Sequence, residues 1–363
     1  MLSLVGDLSG PTLWRILQPT AALQDRGYPA EWDFRTAPVI EHAASAFDGF
    51  VLPRLAWPPI ATGLAARWFD LLRAAGKFVV YDVDDDIFSF ADTARRIELG
   101  WTEGKSFDQL EADRAARVWA LRQCDGVTVS TEPLAAIVRS YTERPVVVVP
   151  NAIDVPWLRT VLRRAQRRTG GITIGWAGGM RSGRDLAPVA EAWRRIAERF
   201  PRVTFVVQGH PDPGLLAAVP ADRLLVLPWL PLDRYPEGLV EVDIACCAVE
   251  ASRWNANKSP IKAYEAAVAG AAVVATPTVY GELLADGLTG YLAETAGDWT
   301  RALADLVAHP ALRSMMARRL VRVVEREHAL ARNVGAWPAA WASIQADAAE
   351  RRRDHAGLVV ARA

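Results

Sequence analysis

The sequence is poor in cysteine. It has three cysteines in 363 residues, Cys124 and the adjacent pair Cys246 and Cys247. All three lie in apolar stretches, and their spacing is not that of a metal-binding motif. A disulfide framework is therefore not indicated, and we expect buried free thiols, as is typical of proteins in a reducing cytoplasm.

The sequence also lacks net charge and long apolar runs. Lysine plus arginine and aspartate plus glutamate both number 42, so the formal net charge is zero at pH 7. This balance gives no electrostatic reason to expect nucleic acid as a partner. No run of 18 apolar residues occurs, and the first residues lack the basic start and apolar segment of a signal peptide. We expect a cytoplasmic protein with at most peripheral contact at the inner membrane face.

What the sequence does have is a regular alternation of apolar runs and helical stretches. Hydrophobic residues make up 51% of the chain, and its length suggests two domains of ordinary size. Short apolar runs bounded by turn residues are typical of strands buried on both faces of a parallel sheet. The alternation predicts an α/β protein of doubly wound sheets, with strands near 2–6, 50–53, 78–81, 126–130, 146–149, 172–176, 203–209, 224–229, 243–248 and 271–276.

The stretch 255–292 is the most informative part of the chain. Ser259 is a good N-cap, Pro260 suits the first helical position, and Gly270 can close the helix in a left-handed conformation. These residues predict a helix over 260–269. A wholly apolar strand, 271–276, follows directly.

The positive charges at the start of this helix indicate an anion site. Lys258 precedes the helix and Lys262 lies in its first turn, where the helix dipole is already positive. Free backbone amides and two lysines suit a diphosphate, and Glu265 can accept hydrogen bonds from a sugar or ribose hydroxyl. The structural alternative is a surface pair between Lys262 and Glu265, with Lys258 simply solvated.

A glycine-rich loop after the strand 172–176 indicates a second contact with phosphate. Gly178 and Gly179 let backbone amides approach an anion closely, and Arg181 and Arg184 add charge. A glycine-rich loop alone is weak evidence. We expect it to face the Lys258 loop across the ends of the sheet.

The stretch 255–292 resembles the donor-binding segment of the retaining, GT-B-fold glycosyltransferases of the glycogen-synthase-like (glycosyltransferase family four type) group. The resemblance rests on a series of residues in the family's order, namely Glu265, Ala269-Gly270, Val273–Thr276, Gly281-Glu282, Asp286-Gly287 and Gly290. Val148–Asp154 is similar to the family's hinge signature, with Ala152 in place of glycine. The sequence departs from the family at Asn257, where the first glutamate of a Glu-x7-Glu element is expected.

The resemblance implies a GT-B fold of two Rossmann-like domains facing across a cleft. Residues 1–153 would form an acceptor-side domain, with the helix 336–363 docking back onto it, and residues 154–335 a donor domain. The expected activity is that of a hexosyltransferase moving a sugar from a nucleoside diphosphate sugar to an acceptor hydroxyl with retention. The acceptor would be a glycan, a lipid-linked molecule or a small molecule. No cofactor and no metal are expected.

The resemblance also assigns roles to individual residues. Arg184 best matches the family's second cation and Arg181 can substitute for the first, while Glu265 would hold the ribose. Trp229 would lie against the base, unless it is a core tryptophan. The predicted donor site comprises Gly178, Gly179, Arg181, Arg184, Trp229, Asn257, Lys258, Ser259, Pro260, Ile261, Lys262 and Glu265. The predicted catalytic residues are Asp84, Asp86, Arg184, Lys258 and Glu265.

An acidic cluster follows the strand 78–81, where ligands bind in doubly wound sheets. Asp82-x-Asp84 and Asp84-x-Asp86 both have the Asp-x-Asp spacing that holds a divalent metal in GT-A glycosyltransferases. Because the later motifs resemble GT-B enzymes, we favour a role facing the acceptor, with Asp84 or Asp86 as a positioning group or base. A turn and helix cap before Ile87 could use one or two of the aspartates.

Two other functions fit the same pattern. A sugar-nucleotide epimerase uses the same fold but needs acid and base groups around the sugar ring. A non-catalytic nucleotide-binding scaffold is suggested by Asn257 and by the missing first cation. Product analysis separates the three, because a transferase gives a glycosylated acceptor, an epimerase an isomeric donor, and a scaffold neither.

Overall fold

The fold is that of a computed structural model, which describes residues 1–34, 44–54, 62–179, 183–210 and 212–360. The chain divides into two compact units. The first contains Met1–Asn151, Asn257–Ser259 and Asn333–Ala363, and the second contains Ala152–Ala256 and Pro260–Arg332. The predicted boundaries, after residues 153 and 335, lie within three residues of this division, but the prediction placed Asn257–Ser259 in the second domain.

The first unit is built on a six-stranded parallel sheet. Its strands are β1 (Leu2–Val5), β2 (Glu31–Phe34), β3 (Gly49–Pro53), β4 (Phe78–Val83), β5 (Gly126–Val129) and β6 (Val146–Val148). The order across the sheet is β2-β1-β3-β4-β5-β6. β1, β3, β4 and β5 are wholly buried, as their continuous apolar runs predict. β2 is exposed along its length at the edge of the sheet, and the sequence pattern did not predict it.

The second unit contains another six-stranded parallel sheet. Its strands are β7 (Thr173–Gly178), β8 (Thr204–Gly209), β9 (Leu224–Leu227), β10 (Ile244–Cys247), β11 (Ala272–Ala275) and β12 (Tyr291–Leu292). The order is β12-β11-β10-β7-β8-β9. Counted within the unit this is the order 3-2-1-4-5-6 read from the other edge, which is the Rossmann arrangement. The chain order reverses between β7 and β10, so the carboxyl ends of these two strands mark the expected binding crevice.

Helices flank both sheets. They comprise Gly10–Thr12, Gln18–Gln24, Thr62–Ala74, Phe90–Glu98, Phe107–Gln123, Glu132–Val138, Val155–Arg164, Gly183–Arg199, Pro213–Ala217, Ile261–Val268, Pro277–Tyr280, Ala296–Ala308, Pro310–Val323, Leu330–Asn333 and Ala336–Val360. Several begin where a side chain caps the first turn. Ser106 and Gln109 form a capping box before Phe107–Gln123, and the Asp154 carboxylate accepts from the Trp157 amide at 2.9 Å. No described helix is long and apolar enough to span a membrane.

Each unit has its own hydrophobic core. In the first, Phe50, Tyr81 and Phe88 are fully buried. In the second, Trp193 and Trp299 are fully buried. The three cysteines are buried and unpaired, so the prediction of free core thiols is confirmed.

The C-terminal helix Ala336–Val360 packs within the first unit. An added Cβ at Gly126 would lie 2.6 Å from the Ile344 side chain, so the helix approaches β5 closely. Arg351 donates to the Asp125 carbonyl at 2.9 Å. Trp337, at the start of the helix, lies under the Arg15 guanidinium, 4.5 Å from the ring centre. The last helix thus covers the sheet of the first unit.

Candidate functional site

The carboxyl end of β7 brings together two of the predicted donor residues, Gly178 and Lys262. Lys262 donates to the Ala177 carbonyl at 2.6 Å. A Cβ added to Gly178 would lie 3.0 Å from Lys262 Nζ and 2.9 Å from the Trp176 ring. A side chain at 178 would therefore crowd both groups. The Lys262 ammonium lies at the strand end where an anion is expected.

Trp229 lies on the exposed side of the same strand end. Its side chain is 57% exposed, so the alternative of a core tryptophan is wrong. The His210 ring stacks on it with centroids 5.0 Å apart and an angle of 29° between the rings. A Cβ added to Gly179 would lie 3.9 Å from the Trp229 ring. An exposed aromatic plane beside a glycine-rich strand end can stack on a nucleobase.

Glu265 is buried rather than on the surface. It is 7% exposed, and the Tyr235 hydroxyl donates to its carboxylate. Burial raises its pKa, while Lys262 and the Tyr235 hydrogen bond oppose the rise. The alternative of an exposed pair between Lys262 and Glu265 is therefore wrong. Sequence reasoning missed Tyr235, which lies thirty positions before Glu265 in the chain.

Arg184 and its neighbours lie at the carboxyl end of β10. Arg184 is 65% exposed, and its Nε lies 3.5 Å from the Glu250 carboxylate. The adjacent Asp185 is buried and accepts from the Glu250 amide at 2.8 Å and from Asn255 Nδ2 at 2.9 Å. Asp185 thus fixes the loop that follows β10, and Arg184 projects beside it. Arg181 lies outside the described residues.

The helix after this loop does not begin as predicted. It spans Ile261–Val268, one residue shorter at each end than the predicted 260–269. Pro260 precedes it with a ψ of 28°, and no side chain caps the first turn. The prediction of Ser259 as N-cap is therefore wrong. Gly270 follows with a φ of 88°, which confirms its left-handed conformation.

Three predicted donor residues, Asn257–Ser259, belong to the first unit. The Ser259 hydroxyl accepts from Asn151 Nδ2 at 2.8 Å, which explains why it does not cap the helix. The buried Asn257 accepts at its carbonyl from Thr131 Oγ1 at 2.8 Å. Lys258 Nζ lies 2.7 Å from Asp85 Oδ1. The alternative of a simply solvated Lys258 is therefore wrong, because its ammonium has a protein counter-ion.

The aspartates of the acidic cluster have different partners. Asp82 is buried and forms a bidentate pair with Arg15, at 2.7 and 3.1 Å, and accepts from Thr128 Oγ1 at 2.6 Å. Asp86 accepts from the Phe88 amide at 3.2 Å and from the amide and hydroxyl of Ser89. Asp86 thus forms the turn that was the structural alternative for this cluster.

Asp84 is the member of the cluster with unused hydrogen-bonding capacity. Its Oδ1 is buried and has no hydrogen-bond partner among the described residues. Arg54 Nε is 3.6 Å away, and Arg54 also pairs with Asp85 at 2.8 Å. Burial raises the pKa of Asp84 to about 6, against the opposing charge of Arg54. Of the two aspartates predicted to be catalytic, Asp84 is the one with the features of a functional group.

No group of three or more metal-binding side chains occurs within the described ranges. The expectation of donor binding without a metal stays a prediction. The roles predicted for the individual donor and catalytic residues also stay predictions.

Residues 171–309 match the family described as Glycosyl transferases group 1. Apart from Asn257–Ser259, the matched residues lie in the second unit. The match spans β7 to β12 and includes Gly178, Gly179, Arg184, Trp229 and Glu265. This match supports the predicted enzyme class, a glycosyltransferase. No curated protein matches the chain.

Solved structures resemble the whole chain in fold. HepE from Anabaena, in complex with UDP and glucose, aligns with a TM-score of 0.65 and 13% identity, over 94% of this chain and 99% of HepE. A glycosyltransferase from Rickettsia africae aligns with a TM-score of 0.61 and 12% identity, over 94% of this chain and 97% of that protein. TarM aligns with a TM-score of 0.58 and 11% identity, over 85% of this chain. This chain spans 58% of the length of TarM. The predicted fold class, GT-B with two Rossmann-like domains, is confirmed.

Proposed function

We propose that the protein transfers a sugar from a nucleoside diphosphate sugar to an acceptor hydroxyl. The observation that carries this proposal is the β7 strand end in the glycosyltransferase domain. There a lysine, two glycines and an exposed tryptophan lie together at the switch point of a Rossmann sheet. Lys262 and the strand-end amides would bind the diphosphate, and Trp229 the base. Because HepE was solved with UDP-glucose, UDP is the first nucleotide to test.

We infer that transfer proceeds with retention, as in the enzymes that the donor segment resembles. The bond between the sugar C1 and the diphosphate oxygen breaks, and a bond forms from the acceptor oxygen to C1 on the same face. The acceptor proton passes to the leaving diphosphate. Arg184 would stabilise the charge that develops on this group, and Glu265 would orient the donor.

We assign acceptor binding to the first unit, through Asp84. The predicted acceptor is a glycan, a lipid-linked molecule or a small molecule, and the reaction would take place in the cytoplasm without a metal. The carboxylates of Asp82 and Asp86 already accept hydrogen bonds from protein donors. This supports Asp84 as the aspartate of the cluster that binds the acceptor.

Product analysis tests the proposal. Incubation with UDP-sugars and a mixture of sugar acceptors should give free UDP and a glycosylated product, and Arg184→Ala should reduce its yield by at least about tenfold. Arg194→Ala is the matched control, because Arg194 lies on the same helix, exposed and paired with Glu191 and Glu198. An isomeric donor without glycosylated product would identify an epimerase, and nucleotide binding without turnover a scaffold.

A further inference from the structure

A cavity of about 230 Å³ lies in the first unit, at the carboxyl ends of β1 and β3. The chain order of the sheet reverses between these two strands, so this is the switch point of the first sheet. The polar side chains of its lining come from four segments of the chain, namely Asp7, Thr12, Arg15, Arg54, Asp82 and Asp84. Apart from Asp82 and Asp84, none of them was a candidate from the sequence.

The charges of this cavity are compensated and leave no cation for an anionic ligand. Arg15 is occupied by its bidentate pair with Asp82. Arg54 lies between Asp84 and Asp85, at 3.6 and 2.8 Å. Asp7 adds a further carboxylate to the lining. An anionic ligand would therefore meet excess negative charge, and repulsion of this kind selects against it.

The cavity nevertheless offers both hydrogen-bond donors and acceptors. Asp84 Oδ1 is buried without a hydrogen-bond partner in the described part of the chain. A buried acceptor without a hydrogen-bond donor destabilises the fold unless a ligand or a water molecule supplies the donor. Arg54 is part-exposed, and the Thr12 hydroxyl lies 3.3 Å from Asp7 Oδ1. A ligand with several hydroxyl groups can use all of these groups, because a hydroxyl both donates and accepts.

The backbone at Arg54 supports a functional role for the cavity. Arg54 has a φ of 46°, a left-handed conformation that is unfavourable for a residue with a Cβ. Its amide donates to the Asp82 carbonyl at 2.8 Å, which ties this conformation to the neighbouring strand. Strained backbone of this kind is concentrated at ligand sites. Here it places the guanidinium beside Asp84.

We propose that this cavity binds one neutral polyhydroxylated ring, a sugar unit of the acceptor, with a ring hydroxyl donating to Asp84 Oδ1. This inference rests on the proposed function, because it names the class of acceptor for that transfer. The volume is below the range of about 300–1,000 Å³ that is usual for drug-sized ligands, so it suits a single ring. The polar lining selects against a lipid tail. Asp84 is thus a binding residue that selects neutral sugars.

Ligand-observed NMR titration of the full chain tests this assignment. The probes are glucose, galactose and mannose, each compared with its 6-phosphate. At least one neutral hexose should bind, and its 6-phosphate should bind at least about tenfold more weakly. Asp84→Ala should weaken binding of the neutral hexose by at least about tenfold, and Asp84→Asn, which keeps the shape and one acceptor oxygen, by less. Asp70→Ala, at an exposed aspartate of the same unit, should leave binding unchanged.

Three results would overturn the assignment: no binding of any of the three hexoses, equal binding by wild type and both Asp84 variants, or tighter binding of a 6-phosphate. A parallel titration with UDP separates this failure from failure of the proposed function. If UDP binds and the hexoses do not, the assignment of this cavity alone is wrong. If UDP does not bind to the wild type, the proposed function is wrong as well.

Discussion

Glu265 is a buried carboxyl whose ionised form destabilises the fold and whose oxygens can accept hydrogen bonds from a ligand. Its carboxyl is buried, with the Tyr235 hydroxyl as donor and Lys262 near. Burial raises its pKa, which means that the ionised form is less stable in the fold than in water. Residues held in this way are concentrated at functional sites. The sequence predicted the functional role but not the burial, because Tyr235 is remote in the chain.

Glu265→Gln should weaken UDP binding by about tenfold, because an amide oxygen is a weaker acceptor than a carboxylate for ribose hydroxyls. The variant should be at least as stable as wild type near neutral pH, since it removes a buried charge. Calorimetric titration with UDP and thermal unfolding measure the two effects. A variant with unchanged UDP affinity would show that Glu265 is only a structural partner of Tyr235.

Trp229→Ala should weaken UDP binding by about 1–3 kcal/mol, the range measured for bases stacked on aromatic side chains. Its melting temperature should stay close to that of wild type, because the side chain is 57% exposed. Trp32→Ala is the control, at a part-exposed tryptophan on β2 of the first unit. Equal losses of UDP affinity in both variants would contradict base stacking on Trp229.

Asp84 should make stability depend on pH in a defined window. Its pKa is raised from 3.8 to about 6, chiefly by burial. Well below about pH 4 the Asp84 carboxyl is protonated in both the folded and the unfolded state, so it does not change the free energy of unfolding. Between about pH 4 and 6 the carboxyl is ionised in the unfolded state but still protonated in the folded state, so stability falls as the pH rises. Above about pH 6 it is ionised in both states, and the loss of stability stays constant. Wild type should therefore lose up to about 3 kcal/mol of stability relative to Asp84→Asn as the pH rises through this window.

Urea unfolding of both proteins at several pH values between about 4 and 8 measures this difference. The Asp85 carboxylate still pairs with Arg54 in the variant, so the fold should be retained. If wild type and Asp84→Asn differ in stability by the same amount at every pH, the pKa of the Asp84 carboxyl is not raised in the fold.

At the scale of the element, the turns after strands and helices differ in how strictly they require glycine. Gly209, after β8, has a φ of 99°, and a Cβ there would lie 2.2 Å from the Gly178 carbonyl oxygen. Gly270, after the helix Ile261–Val268, has a φ of 88° and open space around it. Both positions require a left-handed conformation, but only the first also requires the absence of a side chain.

Gly209→Ala should therefore destabilise the protein by more than about 2 kcal/mol, and Gly270→Ala by about 1 kcal/mol. The extra loss at 209 reflects the backbone clash with Gly178, at the end of β7. Urea unfolding of the two variants gives the comparison. Equal losses would mean that the strand end can relax around a methyl group.

Elements with continuous apolar runs were predictable, and elements set by tertiary contacts were not. β4 and β11 are buried on both faces and stand out in the sequence. β2 was missed because all four of its residues are exposed at the sheet edge. The Ser259 cap was predicted and is absent, because Asn151, which lies 108 positions earlier, donates to its hydroxyl. Local rules cannot include a partner at that distance in the chain.

At the scale of the whole molecule, the sequence predicted two doubly wound units, and the structure has two six-stranded parallel sheets. The donor residues of the second unit lie at the end of β7 and in the segments that follow β7, β9 and β10, and their motifs can be recognised in the sequence. The cavity of the first unit was not predictable in the same way. Its residues Asp7, Arg54 and Asp84 follow β1, β3 and β4, and become neighbours only once the strand order is known.

The central claim is that the second unit binds a nucleoside diphosphate without a metal. Calorimetric titration of the full chain with UDP, with and without a chelator, tests it most directly. We expect binding that is unaffected by the chelator, weakened by about 1.5–3 kcal/mol in Arg184→Ala, and unchanged in Arg194→Ala and Asp84→Asn. Absence of binding, or binding that the chelator and Asp84→Asn both abolish, would contradict the claim. The second result would move the donor site to the aspartates after β4.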